Sequence, residues 1–151
     1  MDEKMGLYAE YLKDLEKIRK KKFGATKKEK EAWCQAYIDH WDRYTWLSVM
    51  DDDECVGFVI IDTARQEGRY FIEQAFVKEG HRRKGLLKQA FQPFLFKHTG
   101  DYELLVIEGN SIAEATWQSI FYMSGYHDVR TPVQDDEGIR YTQYLWIPNA
   151  R

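Results

Sequence analysis

The chain has 151 residues, 44% hydrophobic and 31% charged, with ten glycines and three prolines, a composition that excludes a disordered chain and fits one folded domain over 1–151. A domain of this length buries about 70% of the surface its unfolded chain exposes, so folding needs neither metal nor disulfide, and Cys34 and Cys55 form no CxxC and no disulfide framework. No run of 18 apolar residues occurs, and the opening MDEKMGLYAEYLKDLEK is acidic where a signal peptide is cationic; neither a spanning helix nor a secretory leader is expected, and the cytoplasm is the expected compartment.

The net charge of −3 is unevenly spread. Eight basic residues and one acidic residue lie between Lys17 and Lys30, so this tract carries +7 and the remainder −10. Contact with an anionic partner and a pair of solvated helix ends both fit such a tract. A nucleic-acid partner is disfavoured, because only Phe23 interleaves an aromatic with those charges.

In chain order, Met5, Tyr8, Leu12 and Leu15, joined by Leu7, Tyr11 and Ile18, recur at three- and four-residue spacing and predict an amphipathic helix over about 4–22, stopped by Gly24. Thr26 and Glu29 form a capping box for a second helix over about 27–43, whose aromatic stripe Trp33, Tyr37, Trp41 and Tyr44 reads as core packing. The period then becomes extended: TWLSVM, CVGFVIID and RYFIEQAFV, separated by the turns DDDE and RQEG, predict three strands in an antiparallel meander. A loop, KEGHRRKG, opens into a helix over about 84–98 that Pro93 should kink and Gly100 closes. YELLVIE is a fourth strand. Ser111 with Glu114 forms a second capping box, opening a helix that Gly125 ends, and strands over about 126–130 and 139–147 form a closing hairpin around TPVQDDEG. The order ααβββαβαββ predicts an α/β (α+β) fold, a mixed, mostly antiparallel sheet of about six strands flanked by helices, the fourth strand being reached by a helical crossover.

Chemistry concentrates in EQAFVKEGHRRKGLLK, Glu73 to Lys88, where an apolar strand runs into a cationic, glycine-containing turn at a helix start. A helix N-terminus offers unpaired N–H groups and a partial positive charge, Gly85 permits close backbone approach, and Arg82, Arg83, Lys84 and Lys88 add charge suited to phosphate. A charged helix start with a solvated face is the plainer alternative. The patterns GxGxxG and GxxxxGK[ST] are absent, so neither a Rossmann nor a P-loop site is supported. Arg82-Arg83-Lys84-Gly85-Leu86-Leu87 resembles motif A of the GNAT superfamily of acyl-CoA-dependent N-acyltransferases: Arg or Gln, two residues, Gly, one residue, then Gly or Ala. FVKEGHRRKG is similar to the family's strand end and loop, and NSIAEATWQSIFYMSGY to its motif B. Leu87 departs from the final small residue, and Phe121 stands where the family often has a Tyr. The likeness in element order runs from about residue 27 to the end; residues 1–22 read as an atypical N-terminal helix in place of the family's first strand.

That resemblance implies an N-acetyltransferase that moves acetyl from acetyl-CoA to a primary amine of a small molecule or peptide. It places the cosubstrate between the strands at about 70–77 and 102–108, with backbone groups of Phe76 and Val77 on the pantetheine arm and amides from Arg82, Arg83, Lys84, Gly85, Leu86 and Leu87 around the pyrophosphate. Asn110 bonds cofactor or caps backbone. An amine must lose a proton to attack, and Glu73, read as sharing a strand face with Phe71, Ala75 and Val77, is the candidate base; a surface glutamate paired to an arginine is the alternative. Tyr122 is the candidate acid for the leaving thiolate, with an ordinary helix aromatic as its alternative. The family frames its acceptor with the segment between the first helices and the last hairpin, here the basic Phe23 region and Asp135, Asp136 and Glu137, which favour opposite acceptor charges. His81 reads as a solvent-facing loop residue, and His40, His98 and His127 show no metal spacing, so no metal is expected. A GNAT-like module that holds acyl-CoA or a partner without turnover is the rival reading, and a homodimer is left open.

Overall fold

The computed structural model describes residues 3–150. In chain order the elements are α1 (Glu3–Arg19), α2 (Lys27–Asp39), β1 (Tyr44–Asp51), β2 (Glu54–Gln66), β3 (Arg69–Val77), α3 (Leu86–Lys97), β4 (Asp101–Ile107), α4 (Ser111–Met123), β5 (Tyr126–Gln134) and β6 (Arg140–Pro148). The expected ααβββαβαββ order is present. The strands form one six-stranded sheet in the order β1-β2-β3-β4-β6-β5, with only the β3–β4 pair parallel.

The sheet separates two apolar cores. One, under α3 and α4, contains Ile61, Ile72, Phe91, Tyr102, Phe121 and Trp146; the other, under α1 and α2, contains Leu7, Tyr8, Leu12, Phe58, Ile60 and Phe76. Strand β2 feeds both, Val59 and Ile61 into the first and Phe58 and Ile60 into the second, which is why CVGFVIID is a continuous apolar run instead of an alternating one. A fully buried phenylalanine such as Phe58 contributes about 1.5–3 kcal/mol by area alone.

Four local expectations change. The first helix stops at Arg19 because Lys20 turns left-handed at φ 57°, so Gly24 is not its stop, and residues 1 and 2 lie outside the described residues. The second helix ends at Asp39, which splits the aromatic stripe: Tyr37 and Tyr44 pack in the α1/α2 core, whereas Trp41 is 81% exposed. The cap of α4 is Asn110, whose side chain accepts the Ala113 N–H, and Ser111 is the first helical residue. Strand β5 extends to Gln134, so the closing turn is shorter than expected. Asp135 shapes that turn, its Oδ1 accepting the N–H groups of Glu137 and Ile139, both at 2.9 Å.

Candidate active site

The parallel pairing of β3 with β4 covers only Arg69–Ile72 against Asp101–Leu104. Beyond that point β3 bonds to β2 alone and β4 to β6 alone, so two strand edges face each other without a ladder and the sheet opens between them. Divergence starts at a β-bulge. Ile61 pairs with Ile72 and Ile60 with Gln74, which leaves Glu73 as the extra residue on β3.

The bulge corrects the face expected for Glu73. Ile72, Ala75 and Val77 pack on the α3/α4 core, whereas Glu73 and Phe71 both meet Arg65 on the α1/α2 side, where Gln74 and Phe76 also lie. Arg65 donates to the Glu73 carboxylate, so the arginine pairing left open in the sequence is realised. Burial pushes the Glu73 carboxyl up, more than the Arg65 charge pulls it down. Arg65 is fixed in turn by Asp62, a fully buried carboxylate that also accepts from Arg43 Nη2 at 2.9 Å and from the Ala64 N–H at 3.1 Å. Burial raises the Asp62 carboxyl, but those donors outweigh it and hold it below the usual carboxylate range. Sequence patterns did not single out Arg43, Asp62 or Arg65; the available signal was one acid closing an apolar run. Tyr11 and Tyr37 were read only as apolar helix positions, yet Tyr11 donates to Gln74 and Gln74 Nε2 donates to the Tyr37 hydroxyl at 3.2 Å, bracketing the strand beside the opening.

From Val77 the chain enters the cationic loop, where Gly80, Arg83 and Gly85 have φ of 92°, 67° and 71°. A Cβ at Gly85 would meet nothing within 4 Å, so glycine is favoured there by its left-handed backbone and not by lack of space. Helices α2 and α4 carry side-chain caps, and α3 has none. Its first helical bond is Gln89 N–H to Gly85 C=O at 3.1 Å, which leaves the amides of Leu86, Leu87 and Lys88 without a partner inside the helix. Leu87 is part-buried against the α3/α4 core.

The loop's cations divide into two groups. Arg82 donates through Nε to the Val77 C=O at 2.7 Å and through Nη2 to Asp14 at 3.1 Å, tying α1 to the strand end. Lys84 and His81 both reach Asp51, at 2.9 and 2.8 Å. Arg83 and Lys88 have no ion pair among the described residues.

Two expected site residues make local side-chain bonds. The Asn110 side chain caps α4. Tyr122 donates to Asp128 Oδ1 at 2.7 Å and accepts from Arg130 on β5, toward the sheet edge remote from β3; Phe121 is fully buried and stacks on Trp146 at 4.8 Å. Two clefts flank the opening on the α1 face. One of about 210 Å³ is lined by Arg65, Phe71, Glu73, Leu105, Val133 and Gln143, and one of about 260 Å³ by Ile18, Arg19, Lys20, Ile107, Glu108 and Arg140 among others.

The acetyltransferase (GNAT) family model matches residues 12–119, more than half of the chain and the whole of the opening and loop. The chain belongs to the GNAT acetyltransferase family. Solved GNAT structures share its fold at low identity. Diaminobutyrate acetyltransferase EctA from Paenibacillus lautus, in complex with L-2,4-diaminobutyric acid and coenzyme A, is 14% identical, with TM-score 0.70 over 97% of this chain and 92% of that one. YncA from Salmonella typhimurium, with its cofactor acetyl-CoA, is 11% identical, TM-score 0.62, over 99% and 92%. The PaiA N-acetyltransferase from Thermoplasma acidophilum, in complex with coenzyme A, is 14% identical, TM-score 0.56, over 92% and 88%. No curated protein matches the chain. Among the described residues of this GNAT protein no group of three His, Cys, Asp or Glu is placed to hold a metal, and no helix is long and apolar enough to cross a membrane.

Proposed function

We propose that the protein transfers the acetyl group of acetyl-CoA to the primary amine of a small molecule or peptide by direct attack, as one cytoplasmic acyltransferase domain over 1–151. The observation that carries this reading is the opened β3–β4 edge with Glu73 at its first unpaired position. The cosubstrate supplies an activated thioester. Backbone groups along Phe76 and Val77 bond its pantetheine arm, and the amides from Arg82 to Leu87, with Arg83 and Lys88 beside them, take the pyrophosphate. The Val77 C=O is already bonded to Arg82, so at Val77 the N–H is the group left for the cosubstrate.

Transfer forms the C–N bond and breaks the C–S bond; CoA leaves as its thiolate and takes a proton from water or from the protonated Glu73 to give the thiol. The amine proton passes to the Glu73 carboxylate directly or through one water. Arg65 keeps that carboxylate aimed and charged while burial makes it more basic than a solvated one, and strand-edge amides polarise the carbonyl under attack. Acetyl-CoA with a panel of amines, read by thiol release, tests the reading. Thiol release that needs an amine supports it, and acetyl-CoA binding with no release from any amine overturns it. That second outcome describes an acyl-CoA-binding module, the reading favoured by Leu87 in place of a small residue and by Phe121 in place of a tyrosine.

A further inference from the structure

The basic tract and the acidic hairpin, which favour opposite acceptor charges, meet in the fold. Arg19 Nη2 donates to Glu137 Oε1 at 2.9 Å, and Lys21 Nζ lies 3.3 Å from Oε2 of the same carboxylate. Asp135 is spent on its own turn and on the Tyr141 hydroxyl at 3.0 Å. Two of the three hairpin acids are therefore consumed internally.

The surplus is positive. The Arg19 side chain is 4% exposed, its guanidinium lies 4.1 Å above the Phe23 ring, and its Nη1 is buried with no partner among the described residues. Glu137 pairs the charge, and Nη1 keeps hydrogen-bonding capacity that no described residue uses, which is costly for a buried group. Arg19 lines the 260 Å³ cleft, and so do Lys20 and Arg140, neither of which forms an ion pair among the described residues; Glu108 is the one carboxylate in the lining. The C-terminal end of α1 disfavours an anion there, and the cations of the cleft outweigh it.

The cleft lies at Ile107, three residues beyond Leu104, where β3–β4 pairing stops, or about 10 Å along the strand. Helix α1 spans the same gap: Tyr11 bonds Gln74 next to Glu73, and Arg19 is eight residues on, about 12 Å along the axis.

We propose that the amine acceptor carries an anionic group, a carboxylate or phosphate, on an extended chain, and that this group seats in the cleft with Arg19 recognising it and Lys20 and Arg140 at the rim. With Nη2 held by Glu137, Nη1 is the donor left for one oxygen of the anion, and Lys20 and Arg140 are the cations beside it. This inference rests on acetyl transfer at the β3–β4 opening.

The test pairs 8-aminooctanoate, an ω-amino acid of matching reach, with its carboxamide and with 8-aminooctyl phosphate. Each is measured by kcat/KM with acetyl-CoA and by calorimetric binding to the CoA-loaded protein. The wild type should favour at least one anionic amine over the amide by about tenfold or more, roughly one charge-assisted hydrogen bond. R19Q should bring that ratio near one while acetyl-CoA affinity is unchanged, and R19K should restore part of it. The carboxylate and phosphate arms identify which anion is preferred. Should R19Q lose its thermal transition, the exposed R140Q substitution carries the test, with a smaller loss in the same direction. Equal binding of amide and anions by the wild type overturns the inference. Arg19-dependent anion binding with no thiol release from these amines or from any amine of the panel upholds the cleft and overturns acetyl transfer.

Discussion

Arg65 on β2 bonds Glu73 on β3 and the buried Asp62 of its own strand, so the candidate base is held by a cation that is itself fixed. The pair lies where β3 leaves β4, and the group proposed to accept the amine proton is thus oriented by sheet geometry before any ligand arrives.

Replacing Glu73 by Gln keeps shape and removes the base. Turnover should fall by about 10²–10⁴ while acetyl-CoA affinity is retained, measured by thiol release and by calorimetry. Because the Glu73 carboxyl is raised, the acid limb of kcat/KM should lie above the ordinary carboxylate range and vanish in E73Q. Unchanged turnover would eliminate Glu73 as base.

Asp62 should dominate acid unfolding of this part of the sheet. Its folded pKa is lowered, so its contribution is fully present above the unfolded carboxylate value of about 3.9 and is lost as pH falls through the folded value. Glu73 has the opposite sign: with a raised folded pKa it favours folding below its unfolded value, and that contribution disappears as pH rises through the folded one. D62N should cost about 3 kcal/mol at neutral pH, the lower end for losing one member of a buried pair, since Arg43 and Arg65 are half-exposed. Urea denaturation at neutral pH and at pH near 3 measures both effects.

Two glycines should fail differently. A Cβ at Gly57 would lie 2.1 Å from the Phe76 carbonyl oxygen, so G57A must push β2 from β3 and should cost about 3 kcal/mol. At Gly85 there is space but φ is 71°, so G85A should cost only about 1–2 kcal/mol and weaken acetyl-CoA binding by disturbing the loop. Thermal melting beside calorimetry separates the two.

Tyr122→Phe should change kcat by less than about twofold, because the hydroxyl is bonded to Asp128 and Arg130 on β5. A loss of 10²-fold or more, read by thiol release, would return Tyr122 to the role of acid.

Element order was legible in the sequence because its signals are local: the three- and four-residue spacing of α1, the Thr26–Glu29 box and the apolar run of β2 all lie within a few residues of one another. The cationic loop was legible for the same reason, and with it the family. The bulge was not. The alternation of β3 read on its own assigns Glu73 to the face of Ala75 and Val77, and only the pairing of β2 against β3 shows one residue too many. Trp41 looked like core because its spacing is helical, but the helix ends two residues earlier and leaves it in solvent.

By itself, then, the sequence determined the order of the elements, the family and the position of the cationic turn, all of which depend on neighbours along the chain. Tertiary structure alone decided which charges neutralise one another. Arg19 and Glu137 stand 118 residues apart and meet only when α1 crosses the closing hairpin, which leaves Lys20 and Arg140 as the unpaired cations of the cleft among the described residues and Arg19 Nη1 as a donor with no acceptor there.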